Sequence, residues 1–384
     1  MQRKKGITRR QFVSGLGAAT AGLIAGACSK GSNPLSNQNS SKNNVSPFQP
    51  GQPQGAGHQS KVKITTANCA DYNTDNLRAH IQKMVDELGG LSDIVSSGDT
   101  VGLKLNMTGG SGSADRCPGR YGEDATELFW THPEILRVVG EIFKDAGAGK
   151  LVVMEAIYDQ KSYYGYGYRD VVNYLGADFV NLNVKDPYPD YIKLEVPGRL
   201  GHYSHVYHNR ALHELDCFVS LPKAKRHWGA GVTHSMKNMV GSVPLLDSYT
   251  NGAGHRKALH ANGNPTLVRN FLDINRVRPI HFAVNDAIKT ARHGEGPWNS
   301  GFGPIRFDTL VAGKDPVAVD SVSTQVMGFD PMAPDNEGPF GGDDLPNTSN
   351  YLRIAEENGM GIHDLNKIQV VDATASTLVE EVGA

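Results

Sequence analysis

Thr100-Val101-Gly102-Leu103-Lys104-Leu105-Asn106 reads as a strand, and the elements on its carboxyl side decide the class of fold. After a Gly-rich loop, a helix opens at Thr131-His132-Pro133-Glu134, where a first-turn proline costs no backbone hydrogen bond. Its run ends at Ala146-Gly147, and Lys150-Leu151-Val152-Val153-Met154 is a strand of buried type. The same alternation recurs on both sides of this unit. A strand over 62–65 precedes a helix over 74–88 with Leu77, Ile81, Met84, Val85 and Leu88 on one face, stopped by Gly89-Gly90. Downstream come a helix over 168–175, a strand over 217–221, a helix starting at Pro265 behind the cap Asn264, and a strand over 281–284. Asp315 caps a further helix with Pro316 at its first position, ended by Gly328; a helix over 349–357 and a strand over 367–371 complete the pattern. Strands alternating with helices predict an α/β architecture, with a mixed or mostly parallel sheet or sheets flanked by helices, over residues 61–384. No fixed-period repeat is visible. In such sheets ligands sit beyond the carboxyl ends of the strands, so the loops at those ends carry the functional reading.

The first sixty residues differ in kind. Thr8-Arg9-Arg10-Gln11-Phe12 stands in a basic cluster before a Gly/Ala-rich apolar run, the pattern of a twin-arginine export signal. A spanning helix needs about 20 strongly apolar residues, and four glycines dilute this run. Ala25, Gly26 and Ala27 precede Cys28 as in a lipobox, so lipidation is expected at Cys28. Residues 1–28 are therefore read as signal and 29–60, rich in Ser, Asn, Gln, Pro and Gly, as a disordered tether. The expected partners are the twin-arginine export machinery and a membrane, reached through the lipid on Cys28. The expected location is periplasmic or cell-surface, after export across the bacterial cytoplasmic membrane. Cleavage before Cys28 removes five basic residues and no acidic one, leaving 33 Lys+Arg against 40 Asp+Glu, which argues against nucleic-acid binding. The remaining cysteines, Cys69, Cys117 and Cys217, form no CxxC pair, so an iron–sulfur cluster is not expected. A Cys69–Cys117 disulfide and free thiols both stay open.

The densest chemistry lies in Pro222-Lys223-Ala224-Lys225-Arg226-His227-Trp228-Gly229-Ala230-Gly231-Val232-Thr233-His234-Ser235-Met236-Lys237-Asn238-Met239-Val240-Gly241, directly after an apolar strand. A helix beginning near Thr233 would set His234, Lys237 and Asn238 on one face at i, i+3 and i+4. Thr233 would cap it, and its amides would form an anion site. Gly229 and Gly231 allow a tight bend or close approach to a ligand. The bland alternative, a solvated basic turn, does not account for a Trp, two His and two Gly together.

This segment also carries a family resemblance. With Val101–Asn106, Thr131-His132-Pro133-Glu134, Asn285-Asp286-Ala287-Ile288 and Ala312-Gly313-Lys314-Asp315-Pro316-Val317-Ala318-Val319-Asp320, the chain resembles the DUF362 proteins, whose function is unassigned. Some members attach a ferredoxin-like domain with cysteine-ligated clusters, for which this chain lacks the residues. A fainter similarity, confined to His227, Gly229, Gly231 and Lys237, points to the nickel-dependent lactate racemase family. That resemblance implies a nucleotide-derived, metal-bearing cofactor held at Lys237, with His255 or His260 as a metal ligand.

Other candidates are weaker one by one. Lys104 and Asn106 close a strand before a Gly/Ser-rich loop, although Lys104 reads equally as an outward strand residue. His132 is explained by capping. Asp286 comes after a strand, and Glu295 and His293 share a glycine-containing loop beyond it, a set suited to acid–base work or to a hard cation. Asp320 sits on an apolar helix and must be paired or face a cavity, with Lys225 or Lys237 as expected partners. His202, His205, His208 and His213 invite a metal reading and serve equally as surface residues. Tyr163 to Tyr168 reads as an aromatic loop. The sequence thus predicts a site with His227, His234, Lys237 and Asp286 in catalytic roles. Lys104, Asn106, Lys225, Asn238 and Asp320 bind substrate or cofactor, and His227, His255 and Glu295 are metal candidates. The expected ligand is small and anionic or hydroxylated; a lipid-held binding protein without catalysis is the alternative.

Overall fold

A computed structural model describes residues 61–244, 256–260, 263–341 and 347–375. The expected signal (1–28) with Cys28, the expected tether (29–60) and His255 lie outside the described residues. Twelve strands are described: β1 (Val62–Asn68), β2 (Thr100–Lys104), β3 (Lys150–Glu155), β4 (Asp178–Asn181), β5 (Ile192–Glu195), β6 (His205–His208), β7 (Cys217–Ser220), β8 (Lys225–His227), β9 (Gly231–Thr233), β10 (Phe282–Arg292), β11 (Gly303–Gly313) and β12 (Ile368–Asp372). The helices that matter are α1 (Thr74–Glu87), α2 (Pro133–Asp145), α3 (Tyr168–Leu175), the single turn α4 (Ser235–Asn238), α5 (Asn264–Val277), α6 (Pro316–Val326) and α7 (Tyr351–Glu357).

Eight strands form one sheet in the order β12-β1-β11-β10-β7-β2-β3-β4. Only the β1–β11 and β10–β11 pairs are antiparallel, so β11 alone runs against the rest and the sheet is mixed but mostly parallel. Both faces are covered. On β3, Leu151 and Val153 pack with α1, α2 and α3, while Val152 and Met154 pack with α4, α5, α6 and α7. A strand with apolar residues on both faces has no polar side, which is why these strands read as unbroken apolar runs.

Local chemistry sets most helix ends. The Asn73 carboxamide accepts from the amides of Asp75 and Asn76 to start α1, and the Asp315 carboxylate accepts from Val317 and Ala318 to start α6. His132 caps α2 as expected, its Nδ1 accepting from Glu134 N at 3.2 Å. One cap differs: Gly263 holds the cap position of α5, and Asn264 is its first helical residue. No helix among the described residues is long and apolar enough to cross a membrane.

Two departures shape the site. β10 does not stop at Val284 but runs on to Arg292, with a bulge between Ala287 and Lys289, so Asp286 lies within a strand rather than after one. The expected helix from Thr233 is also displaced. Lys225–His227 and Gly231–Thr233 instead form the β8–β9 hairpin, whose Gly231 has φ of 81°. A Cβ on Gly231 would stand 2.6 Å from Pro339 O. The helix then begins at Ser235, so Thr233 is a strand residue and not its cap.

The three described cysteines are free and buried, and burial pushes their thiols up to about 12 for Cys69 and Cys217 and about 11 for Cys117.

Candidate functional site

The carboxyl ends of β2 and β7 are tied together before any functional group is placed. Thr131, just ahead of α2, accepts from Asn106 N at 2.8 Å and donates its hydroxyl to Leu221 O at 2.5 Å. Beyond this junction the chain after β7 keeps pairing with β10: Ala224 N donates to Asp286 O at 2.8 Å and Asp286 N to Pro222 O at 3.1 Å. Lys223 and Lys225 are thereby drawn inward, and both are fully buried.

Four lysines are buried among the described residues: Lys104, Lys223, Lys225 and Lys237. Two are ion-paired. Lys104 donates to Glu155 Oε2 at 2.8 Å and to Leu105 O at 2.7 Å, under Gly241, where a Cβ would strike both charged groups. Lys223 donates to Asp286 Oδ2 at 2.6 Å and to the Tyr72 hydroxyl at 2.8 Å, and Tyr72 stacks on His132 with ring centres 3.7 Å apart. The other two lack such a partner among the described residues. Lys225 donates to Asn106 Oδ1 at 3.1 Å and to the Phe129 carbonyl, neutral groups only. Lys237, 7% exposed, makes no hydrogen bond among the described residues. Burial lowers the Lys225 amine well below its ordinary value, and Lys237 and Lys223 nearby push the same way against Glu295. For Lys237, burial brings the amine down to about 8, opposed by Glu295 and assisted by Arg256 and Lys104.

A ladder of amides links these cations. Asn106 Nδ2 donates to Asn238 Oδ1 at 3.1 Å, and Asn238 Nδ2 to Ser220 Oγ at 3.1 Å. Gly229 N donates to His227 Nδ1 at 2.9 Å, so the neutral ring carries its proton on Nε2. Burial, then Lys237, hold His227 far below its ordinary range and thus neutral. Glu295 is half-buried. Its Oε2 accepts from Trp228 N at 2.9 Å and its Oε1 from Trp298 Nε1 at 3.2 Å, which pins the hairpin tip while the charge faces Lys225 and Lys237.

The structure therefore brings Lys225, His227, Lys237, Asn106, Asn238 and Glu295 together. It draws other candidates elsewhere. His234 is directed to Thr324 of α6, with Nε2 to Oγ1 at 3.2 Å, and burial alone lowers it to about 3. Asp286 is engaged by Lys223, Tyr72 and the Ile288 amide. Asp320 does not pair with Lys225 or Lys237: it accepts from Ser235 and Met236 amides at the start of α4, filling the position expected for an external anion. His202, His205, His208 and His213 do not gather around one point. His208 and His213 bond to each other at 2.9 Å, and His208 also meets Ser242 Oγ. Among the described residues no group of three or more His, Cys, Asp or Glu could hold a metal ion, so His227 and Glu295 lack a third ligand there. The aromatic segment is buried at its two ends, where Tyr163 stacks on Phe179 and Tyr168 donates to Thr131 O, while Tyr164 between them is exposed.

Three participants carry little sequence signal. Glu155 closes β3, Tyr72 precedes α1, and Arg256 stands 4.0 Å from Glu155. Lys223 could have been found by its two-residue spacing from Lys225, the period that turns alternate strand residues to one side.

A mixed α/β sheet with a cluster of buried lysines past its strand ends defines the class of this protein. Residues 118–325 match the family described as a domain of unknown function (DUF362), and the chain belongs to that family. It is 23% identical over 274 residues to a thylakoid-associated protein of Synechocystis sp., covering 70% of this chain and 75% of that protein. Among solved structures, the lactate racemase apoprotein from Thermoanaerobacterium thermosaccharolyticum is 13% identical with a TM-score of 0.36, over 65% of this chain and 54% of that one. A protein from Thermotoga maritima is 8% identical with a TM-score of 0.36, over 67% and 59%. The chain thus spans less than two thirds of either solved chain.

Proposed function

We propose that the Lys225–His227–Lys237 cluster receives a small anionic substrate and that the protein is an enzyme acting on it. One observation carries this reading. Lys104 and Lys223 each have a carboxylate, whereas Lys225 and Lys237 are buried without one in direct contact among the described residues. An unpaired buried cation is costly, and it is retained where a ligand supplies the missing charge. In this reading Lys225 binds the anion, His227 donates Nε2–H to it, and Asn106 and Asn238 orient Lys225. Lys237, whose amine is held near 8, can give and take a proton close to neutral pH. The alternative, a binding protein without catalysis, uses the same residues.

The test is thermal stabilisation of the purified protein by carboxylates, phosphate and sulfate, and then a search for turnover of stabilising compounds. Saturable stabilisation lost in Lys225→Met supports the anion site, and absence of stabilisation by every anion overturns it. Stabilisation without turnover selects the binding protein. Metal analysis and an absorption spectrum of natively exported protein test for a metal- or nucleotide-derived cofactor. The location proposed is export through the twin-arginine route with lipid attachment at Cys28, supported by Arg9-Arg10 and Ala25-Gly26-Ala27. Radiolabelled fatty acid should enter the wild type and not Cys28→Ala.

A further inference from the structure

Asp320 is a fully buried carboxylate that no lysine, arginine or histidine contacts among the described residues, yet five hydrogen bonds end on it. Its Oδ1 accepts from Ser235 N at 2.8 Å, Ser235 Oγ at 2.5 Å and Asn285 Nδ2 at 3.2 Å. Its Oδ2 accepts from Met236 N and from the Tyr351 hydroxyl, each at 3.0 Å. The donors come from α4, β10 and α7, so one carboxylate on α6 joins three other elements. α4 depends on it most. A single helical turn has no stability of its own. The His234 side chain makes no capping bond, and the first two amides of α4 end on Asp320. Lys237 and Asn238 are the next residues of that turn.

We propose that Asp320 is a positioning residue: its charge fixes α4 in the placement that presents Lys237 and Asn238 to the anion site. This rests on the anion-site reading above. A protonated carboxylic acid carries no charge, so its hydrogen bonds from the Ser235 and Met236 amides lose their charge assistance and α4 loosens. The titratable groups facing Asp320 are few. Asp315, the cap of the same helix, repels its charge, and Tyr351 donates to it from α7. His234, beside α4, is bonded to Thr324 and stays neutral above about pH 3. β10 presents the uncharged Asn285. Burial pushes Asp320 up to about 6, against the pull of its donors, which places the change within a measurable range.

Global stability and affinity should then respond in opposite senses. A carboxylate whose folded value is raised above its unfolded value gains protons on folding, so acidification from 6 to 4 does not weaken the fold through this group. Anion affinity, which needs the ionised form, falls over the same range. The probe is sulfate, whose own charge is constant there, titrated into the full-length protein by calorimetry between pH 5 and 7. Wild type should lose affinity below about pH 6, approaching tenfold per pH unit. Asp320→Asn should bind at least tenfold more weakly at pH 7 and with a flat profile. Ser235→Ala removes one donor and should move the midpoint upward. A flat wild-type profile, or an unchanged profile in Asp320→Asn, overturns the proposal. Should wild type bind no sulfate at any pH, the anion-site reading has failed on its own. Amide exchange at Met236–Asn238 then decides the positioning role: protection lost below pH 6 supports it, and protection independent of pH refutes it.

Discussion

Replacing Lys237 by Met should make the protein more stable and less responsive to anions. The side chains share an apolar stem of similar length, so the change removes the ammonium while keeping the packing. The magnitude comes from the amine itself. Burial takes it from 10.5 to about 8. At about 1.4 kcal/mol per unit, this means that the charged form costs the folded state on the order of 3 kcal/mol at pH 7. The sign is fixed by proton counting. Between pH 8 and 10.5 the unfolded chain keeps the proton that the folded chain has released, so stability rises with pH across that window, and the penalty is present in full below it. Lys237→Met should therefore gain up to about 3 kcal/mol at pH 7, roughly 5 °C in midpoint for a domain of this size. Wild type should approach the variant as pH rises toward 10. Differential scanning calorimetry at pH 7 and 9.5, with and without sulfate, reads all three effects. A variant that is less stable than wild type at pH 7, or that sulfate stabilises as well as it stabilises wild type, refutes the reasoning.

Other substitutions test the frame around the site. Asp286→Asn strands the buried Lys223 charge and should cost about 3 to 5 kcal/mol in urea unfolding, with Lys223→Met added on top recovering most of it. Thr131→Val removes the bridge between Asn106 N and Leu221 O, and two buried groups left unpaired should cost about 2 to 4 kcal/mol, seen as a lowered urea midpoint. Gly241→Ala places a methyl 2.6 Å from Glu155 Oε1 and 2.7 Å from Lys104 Nζ, so a loss of about 2 kcal/mol or more is expected in the same assay.

How much of the molecule can be read from the sequence depends on how local the responsible forces are. α6 is legible to the residue at its start, because a capping Asp315 and a first-turn Pro316 act within one turn of the helix they begin. α3 is legible because its amphipathic period and bounding glycines are equally local. β10 is not. Asn285 and Asp286 look like the polar end of a strand, and only partners far away in sequence, Asp320 and Ser323 for the first and Lys223 and Tyr72 for the second, let them stay inside it. The β8–β9 hairpin escapes the sequence for another reason: three-residue strands leave no periodicity to read. Lys225, His227, Lys237, Asn106 and Asn238 can be found because strand ends concentrate polar residues. Glu155 and Tyr72 cannot, since a single carboxylate or phenol gains meaning only from the charge it meets across the fold.

The three interior thiols give the molecule a built-in clock. With Cys69, Cys117 and Cys217 buried and their sulfurs kept protonated, a water-soluble alkylating reagent can reach them only when the surrounding structure opens. Cys217 lies on β7 at the centre of the sheet, whereas Cys69 lies just past β1, near the sheet margin. The order in which they are labelled therefore records whether the sheet comes apart from its margin inward or all at once.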